Sequence, residues 1–394
     1  MTRHDNYGIS NKLMNFLGSH PKLMRAYLSG KSGKAIFSAM ARPGFDVDAF
    51  LATQDGQWLM EKFATEAFAP DDSPKIHAYW AERGIVKEVH GRIDRPEGYW
   101  SVFIPKQVQA NPDRKVPLVF FMHGMSNPIR IMQGMGMVEL AARDGFIVVT
   151  PQNEQPDYLV DLYRQVVDAY PVDTARVYMI GFSFGSHSTA RMAVTHPELF
   201  AGVGMGSMPT LGDMRETRIT GIDYEPFRHT EEMVGRMAEL GMPNLMMLGT
   251  DEMLRFLPFY DFDLSYTEDT EENADNHVRF VIDPNTEYDT FNAFRRAAGC
   301  QPIDPTEARE KSKVSDSATE RMSGLLFESS EDVVLNGRTY HVGHSTNAAG
   351  QTWFKLYLAE GMLHLPTSQW AELTWNHLKQ FSRDPETKRI VMSA

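Results

Sequence analysis

The chain of 394 residues has a single cysteine, Cys300. One cysteine cannot close an intrachain bridge, so the fold does not depend on oxidation. Its neighbours Ala297-Ala298-Gly299 and Gln301-Pro302 supply no catalytic partner, and it reads as a bystander thiol. No stretch approaches the ~20 consecutive apolar residues that span a bilayer. The opening Met1-Thr2-Arg3-His4-Asp5-Asn6 lacks the apolar run of a secretory signal, which leads to the expectation of a cytoplasmic protein. Basic residues are scarce relative to acidic ones: 39 Lys and Arg against 52 Asp and Glu, a net charge of −13. That balance speaks against nucleic acid as a partner, because phosphate binding needs a basic face, and against an anionic membrane surface. Also absent are a His-Glu-x-x-His pair, cysteine pairs and a calcium loop, so no metal is expected. Without a Walker A loop or a G-x-G-x-x-G opening a helix after the first strand, no nucleotide cofactor is expected either. There is no internal repeat.

The composition is otherwise that of an ordinary globular protein, 42% hydrophobic and 23% charged, with 24 methionines whose default role is to fill irregular core space. Residues 1–80 read as a helical N-terminal extension, with apolar faces at Leu13, Met14, Phe16 and Leu17 and at Leu23, Met24, Tyr27 and Leu28. A further helix is expected from Asp46-Val47-Asp48 onward, and Pro70-Asp71-Asp72-Ser73-Pro74 reads as a linker. This extension carries no chemical motif. Packing against the rest is its simplest role, and a contact between two copies (a homo-oligomer) or part of a lid are the other readings.

From residue 81 to 394 the pattern is that of one α/β domain. Strands are expected at Ile85–Val89 and Tyr99–Ile104, then at Val116–Met122, Phe146–Thr150, Val177–Ile180, Phe200–Met205 and Leu245–Leu248. The interleaved helices are Gly134–Arg143, Tyr158–Val167 and Ser186–His196. Alternation of this kind is the signature of a doubly wound, mostly parallel sheet. Over about 252–337 the rhythm breaks into an acidic, loop-rich stretch with helical pieces such as Thr290–Ala298, read as an insertion (a cap or lid) over the active site. Strands return at Arg338–Val342 and Trp353–Leu358, and a helix closes the pattern from about Ser368 to Phe381.

The chemistry is concentrated at Gly181-Phe182-Ser183-Phe184-Gly185, between an apolar β-branched run and a helix. A serine at a sharp strand-to-helix turn has its hydroxyl pushed out at the end of the sheet, and the glycines permit the turn. A serine hydroxyl needs a base, and the base needs an orienting acid. Asp251, directly after Leu245-Met246-Met247-Leu248-Gly249-Thr250, is the preferred acid, with Glu252 as runner-up. His364, in Gly361-Met362-Leu363-His364-Leu365-Pro366, is the base, since it alone among the histidines lies between the last strong strand and the last helix. His187 reads as structural or pocket-lining; His341 and His344 are weaker alternatives. Two N–H groups are wanted for an oxyanion: Phe184, after the nucleophile, and Met125, in the turn Met122-His123-Gly124-Met125.

Three blocks carry a family resemblance: Val172–Gly185 with the following His196-Pro197-Glu198-Leu199-Phe200-Ala201, Pro117–Gly124, and Gly361–Pro366. They resemble the polyhydroxybutyrate depolymerase and feruloyl esterase group of α/β-hydrolases over roughly residues 85–382. The resemblance implies an α/β-hydrolase fold and a cofactor-free serine esterase acting through an acyl-enzyme on feruloylated or acetylated sugars or on polyesters. The chain departs from the pattern at Met125, where a cysteine is often found, in its long acid-to-histidine insertion and in its helical extension. A small soluble ester, aryl or feruloyl among the candidates, is therefore the expected substrate. The other readings are a polyester (hydroxyalkanoate) depolymerase, a serine peptidase of the prolyl-oligopeptidase type, for which no propeller repeat is seen, and a silent binding protein of the same fold.

Overall fold

Val116–Met122 (β3) sets the plan of the molecule. Its residues alternate between two faces of a sheet: Leu118, Phe120 and Met122 join one buried cluster, Val119 and Phe121 another. A strand apolar on both sides belongs at the centre of a sheet covered by helices on both faces. A computed structural model describes residues 16–17, 20–42, 44–68, 72–92, 95–124, 130–207, 209–211, 229–253 and 284–392 and has this arrangement. The other strands of the sheet are Ile85–Arg92 (β1), Arg95–Pro105 (β2), Ile147–Pro151 (β4), Val172–Phe182 (β5), Gly202–Gly206 (β6), Asn244–Gly249 (β7), Ser329–Leu335 (β8), Arg338–Thr346 (β9) and Thr352–Ala359 (β10). Their order is β1-β2-β4-β3-β5-β6-β7-β10-β9-β8. The central run β4-β3-β5-β6-β7-β10 is parallel, and the flanking pairs are antiparallel. The doubly wound, mostly parallel sheet read from the sequence is thus present.

The structure differs from the sequence pattern at several elements. The closing helix ends at Leu378, and Phe381–Arg383 pairs with Ile390–Met392 in a small separate sheet. β8 has no counterpart among the expected strands, because Ser329-Ser330-Glu331-Asp332 is an exposed edge and lacks the apolar signal of a buried strand. The helix expected from Gly134 begins instead at Met137, since Gly136 adopts a left-handed backbone (φ 92°) that a helix cannot continue through.

One face of the sheet carries helices Pro156–Ala169, Phe184–Thr195, Glu231–Leu240 and Pro284–Ala297. The last of these falls in the segment expected to cap the site. Tyr288, Phe291 and Phe294 bury it in the core of this face, with Phe291 edge-on to Phe354 of β10. Residues 254–283 of the expected cap lie outside the described residues.

The other face carries Met137–Asp144, Trp370–Leu378 and the N-terminal helices: Pro21–Ser29 (α1), Lys31–Ala39 (α2), Val47–Leu51 (α3), Gln54–Phe63 (α4) and Pro74–Glu82 (α5). Asp46 and Thr53 cap α3 and α4 through the N–H groups of Ala49 and Gly56, as such residues do at helix starts. Met24, Phe37, Phe50, Leu59 and Trp80 join Phe103, Val119, Phe121 and Tyr357 of the sheet in a single cluster. Trp80, wholly buried, stands edge-on to Phe103. The extension is therefore part of the sheet's own core. Of the first expected apolar face, Leu13 and Met14 lie outside the described residues; of the second, Met24 and Leu28 are buried and Leu23 is exposed.

Candidate active site

The chemistry-bearing residues all follow the C-terminal ends of parallel strands, the edge at which open α/β sheets place their sites. His123 follows β3, Ser183 follows β5, Ser207 follows β6, Glu252 follows β7 and His364 follows β10. Ser183 sits at φ 54°, ψ −124°, a conformation costing about 1–3 kcal/mol for a residue with a side chain. Close approach on both sides holds it there. A Cβ on Gly181 would lie 2.0 Å from the Gly185 carbonyl oxygen, and one on Gly185 would lie 2.4 Å from that of His123. The Ser183 N–H donates to the Gly206 carbonyl at 2.8 Å, which ties the turn to the neighbouring strand. The hydroxyl is left half-buried at the mouth of the turn.

From that hydroxyl a hydrogen-bonded chain runs inward. Ser183 Oγ donates to His364 Nε2 at 2.7 Å, and His364 Nδ1 donates to Glu252 Oε2 at 2.7 Å. The other carboxylate oxygen of Glu252 accepts from Ser207 Oγ at 2.7 Å and from the Gly249 N–H at 2.6 Å. Glu252 and His364 are 1% and 2% exposed, so water does not screen the pair. Burial pushes the Glu252 carboxyl up, against the opposing pull of the imidazole and of its donors from Gly249 and Ser207. The edge of His364 is shaped by the ring of Phe182, 5.3 Å away between centroids. Such a chain can take a proton from Ser183 while the carboxylate holds the imidazole in the tautomer that accepts it. Phe184 opens helix Phe184–Thr195, whose N-terminal end favours negative charge beside the serine.

Asp251, the preferred acid, is not part of this chain. The turn after β7 sends its side chain outward: Oδ1 accepts from Arg42 Nε at 2.5 Å and Oδ2 from Thr250 Oγ1 at 2.7 Å. Glu252, one residue on, folds back over the strand end with the extra methylene needed to reach His364. The geometry therefore replaces Asp251 by Glu252 as the partner of His364. Met125 lies outside the described residues. The turn leading to it is held through His123, whose Nδ1 lies 2.7 Å from the Gly124 carbonyl oxygen and whose Nε2 lies 3.0 Å from the Gln152 carbonyl oxygen and 3.1 Å from the Gln152 side-chain nitrogen.

The remaining histidines have other partners. His187 is buried, donates from Nδ1 to the Thr210 carbonyl at 2.9 Å and is lowered by burial to about 4. His341 and His344 pair with Asp332 and Glu331 across the β8–β9 hairpin at the sheet's edge. Burial pushes the Cys300 thiol up to about 11. Two residues near the site escape a reading of the sequence. Ser207 ends a parallel strand at positive φ (64°), a conformation that its sequence context does not announce. Glu154 follows β4, and burial pushes its carboxyl up to about 7 against the pull of nearby His123; nothing in its sequence context marks it. Among the described residues no cluster of three His, Cys, Asp or Glu side chains could hold a metal ion. No helix among them is long and apolar enough to cross a membrane.

A serine after β5, an acid after β7 and a histidine after β10 of this sheet leave one reading of the architecture. The arrangement is that of the α/β-hydrolase fold. No family model matches the chain. It is similar to acetylxylan esterase A of Talaromyces purpureogenus, 28% identical over 151 residues that make up 31% of this chain and 38% of that one. It is also similar to a probable acetylxylan esterase A of Aspergillus terreus, 24% identical over 148 residues, 32% of this chain and 48% of the relative. The chain thus spans less than half the length of these curated relatives. Among solved structures it is similar to an acetyl xylan esterase from Aspergillus awamori, 14% identical, covering 68% of this chain and 88% of that one at a TM-score of 0.40. A ferulic acid esterase matches over 42% of this chain and 78% of its own, 14% identical at a TM-score of 0.33.

Proposed function

We propose that this chain, of α/β-hydrolase fold, is a serine carboxylic-ester hydrolase. The observation that carries the reading is the unbroken Ser183–His364–Glu252 chain at the C-terminal edge of the sheet, with two hydrogen bonds of 2.7 Å. Ser183 Oγ attacks the ester carbonyl while His364 Nε2 takes its proton. Glu252 stabilises the imidazolium. The Phe184 N–H, and in our reading that of Met125, bind the oxyanion. The imidazolium returns the proton to the leaving alcohol, and water, deprotonated by the same histidine, then releases the acid from Ser183.

The substrate in this reading is a small ester. The likeness to acetylxylan esterases favours a short acyl group on a sugar. The three motif blocks add an aryl or feruloyl acyl group as the second class to try.

A fluorophosphonate probe tests the nucleophile: wild type should label stoichiometrically and Ser183→Ala not at all. Labelling that survives in Ser183→Ala would end the proposal. A panel of p-nitrophenyl acetate, methyl ferulate, an acetylated xylo-oligosaccharide and a peptide anilide tests the reaction class. Turnover of the anilide alone would replace the esterase with a peptidase.

A further inference from the structure

The turn between α2 and α3 in the N-terminal extension reaches the residues of the proposed reaction directly. The Met40 carbonyl accepts from the His364 N–H at 2.8 Å and from the Met253 N–H at 3.2 Å. The Arg42 N–H donates to the Asp251 carbonyl at 2.9 Å. Ala41 and Glu252 are thereby paired as an antiparallel bridge, the smallest possible piece of sheet. Arg42 adds its guanidinium to the Asp251 carboxylate, next in sequence to Glu252.

A second attachment lies further along the extension. Asp55 of α4 forms a buried ion pair with Arg338, and Arg338 donates to the Glu360 carbonyl. The other oxygen of Asp55 accepts from the Ser368 N–H and Oγ, both at 2.7 Å. The loop bearing His364 is therefore held at Glu360, at His364 itself and at Ser368. The extension bonds directly to His364 and Ser368 and reaches Glu360 through Arg338.

We propose that residues 40–42 are a strap that sets the position of Glu252 and His364, with Arg42 as a positioning residue; this rests on the esterase reading above. The assignment separates positioning from simple packing. A helical layer that only covered the sheet would need apolar contact alone, and Met24, Phe37 and Trp80 supply that. Main-chain bonds to the base and to both neighbours of the acid add nothing to coverage. They fix the height of two loops that must meet within hydrogen-bond reach of Ser183. Misplacement of a reacting group by about 1 Å costs up to roughly 100-fold in rate.

The Arg42 side chain is 44% exposed and that of Asp251 14%, so water screens the ion pair in part and its loss should cost stability modestly. Arg42→Ala should therefore fold, with a melting temperature lowered by at most about a few degrees. Its kcat on p-nitrophenyl acetate should fall about tenfold with KM unchanged, a loss confined to the chemical step. Arg42→Lys, which can still reach the Asp251 carboxylate, should recover most of the rate. Asp251→Ala should reproduce the defect, and the double variant should be no worse than either single one. Wild-type kcat in folded Arg42→Ala, additive losses in the double variant, or a loss of rate that tracks a loss of folding without rescue by Lys would each overturn the strap. Failure of the esterase reading is distinguishable: wild type would then turn over no ester, or Ser183→Ala would retain turnover, whatever Arg42 does.

Discussion

Replacing Glu252 by Gln changes one atom, and the donors around the carboxylate dictate the consequence. In the native site Oε1 accepts from two donors, the Gly249 N–H and the Ser207 hydroxyl, and Oε2 accepts from His364 Nδ1. A glutamine has one acceptor oxygen and one donor nitrogen. The backbone N–H of Gly249 cannot turn away, so the amide oxygen must occupy the Oε1 position and the NH2 must face His364. Nδ1 then has to accept, which moves the imidazole proton to Nε2 and aims it at Ser183. A base that already carries a proton on the atom facing the nucleophile cannot take another. The loss expected for a wrong-tautomer triad is about 10⁴-fold in kcat, equivalent to about 5 kcal/mol of barrier.

Asp251→Asn leaves this chain untouched and keeps an acceptor for Arg42, so it should retain kcat to within about tenfold. Steady-state hydrolysis of p-nitrophenyl acetate by both variants, with melting temperatures to establish folding, decides the matter. Glu252→Gln retaining a tenth or more of the wild-type rate, or Asp251→Asn losing as much as Glu252→Gln, would refute the assignment.

Three further outcomes are expected. Asp55→Ala leaves Arg338, 7% exposed, without its carboxylate, and should destabilise the protein by about 3–5 kcal/mol in urea unfolding; a change below about 1 kcal/mol would show that Arg338 finds another partner. Gly185→Ala places a Cβ 2.4 Å from the His123 carbonyl oxygen, so the turn must shift; kcat should fall by at least about tenfold, and a fully active variant would disprove the close approach. The two buried histidines should cost stability as pH falls below about 6.5, because burial lowers His187 to about 4 and His377 to about 3, so at these sites the unfolded chain takes up protons first. Each histidine contributes roughly 2 kcal/mol of loss between pH 7.5 and 5, opposed by the upward shifts of Glu154, to about 7, and of Glu252. His187→Gln isolates the contribution, and the same pH slope as wild type in its melting temperature would contradict this.

The parts of the molecule legible in the sequence are those whose signals are local. β3 and the second half of β5, Val177–Phe182, announce themselves because a strand buried on both faces must be apolar or glycine throughout. Ser183 and His364 do so because a glycine-flanked serine and a histidine each sit at a strand end. β8 is silent because an exposed edge strand needs no apolar residue. The N-terminal helices are visible as helices, but their docking is not, since an amphipathic face does not say what it covers.

The choice between Asp251 and Glu252 shows where local reading stops. Both are carboxylates one and two residues past the same turn, and chain length from strand end to carboxyl favours the shorter one. What decides is that each carboxylate has a claimant far away in sequence. Arg42 approaches from one side and takes Asp251; His364, Ser207 and the Gly249 N–H converge from the other and take Glu252. A buried carboxylate at the second position requires three donors, and a half-exposed guanidinium satisfies the first. The strap that would set the position of the acid is therefore also what removes Asp251 from contention, so the extension without a motif settles which of the two carboxylates faces the histidine.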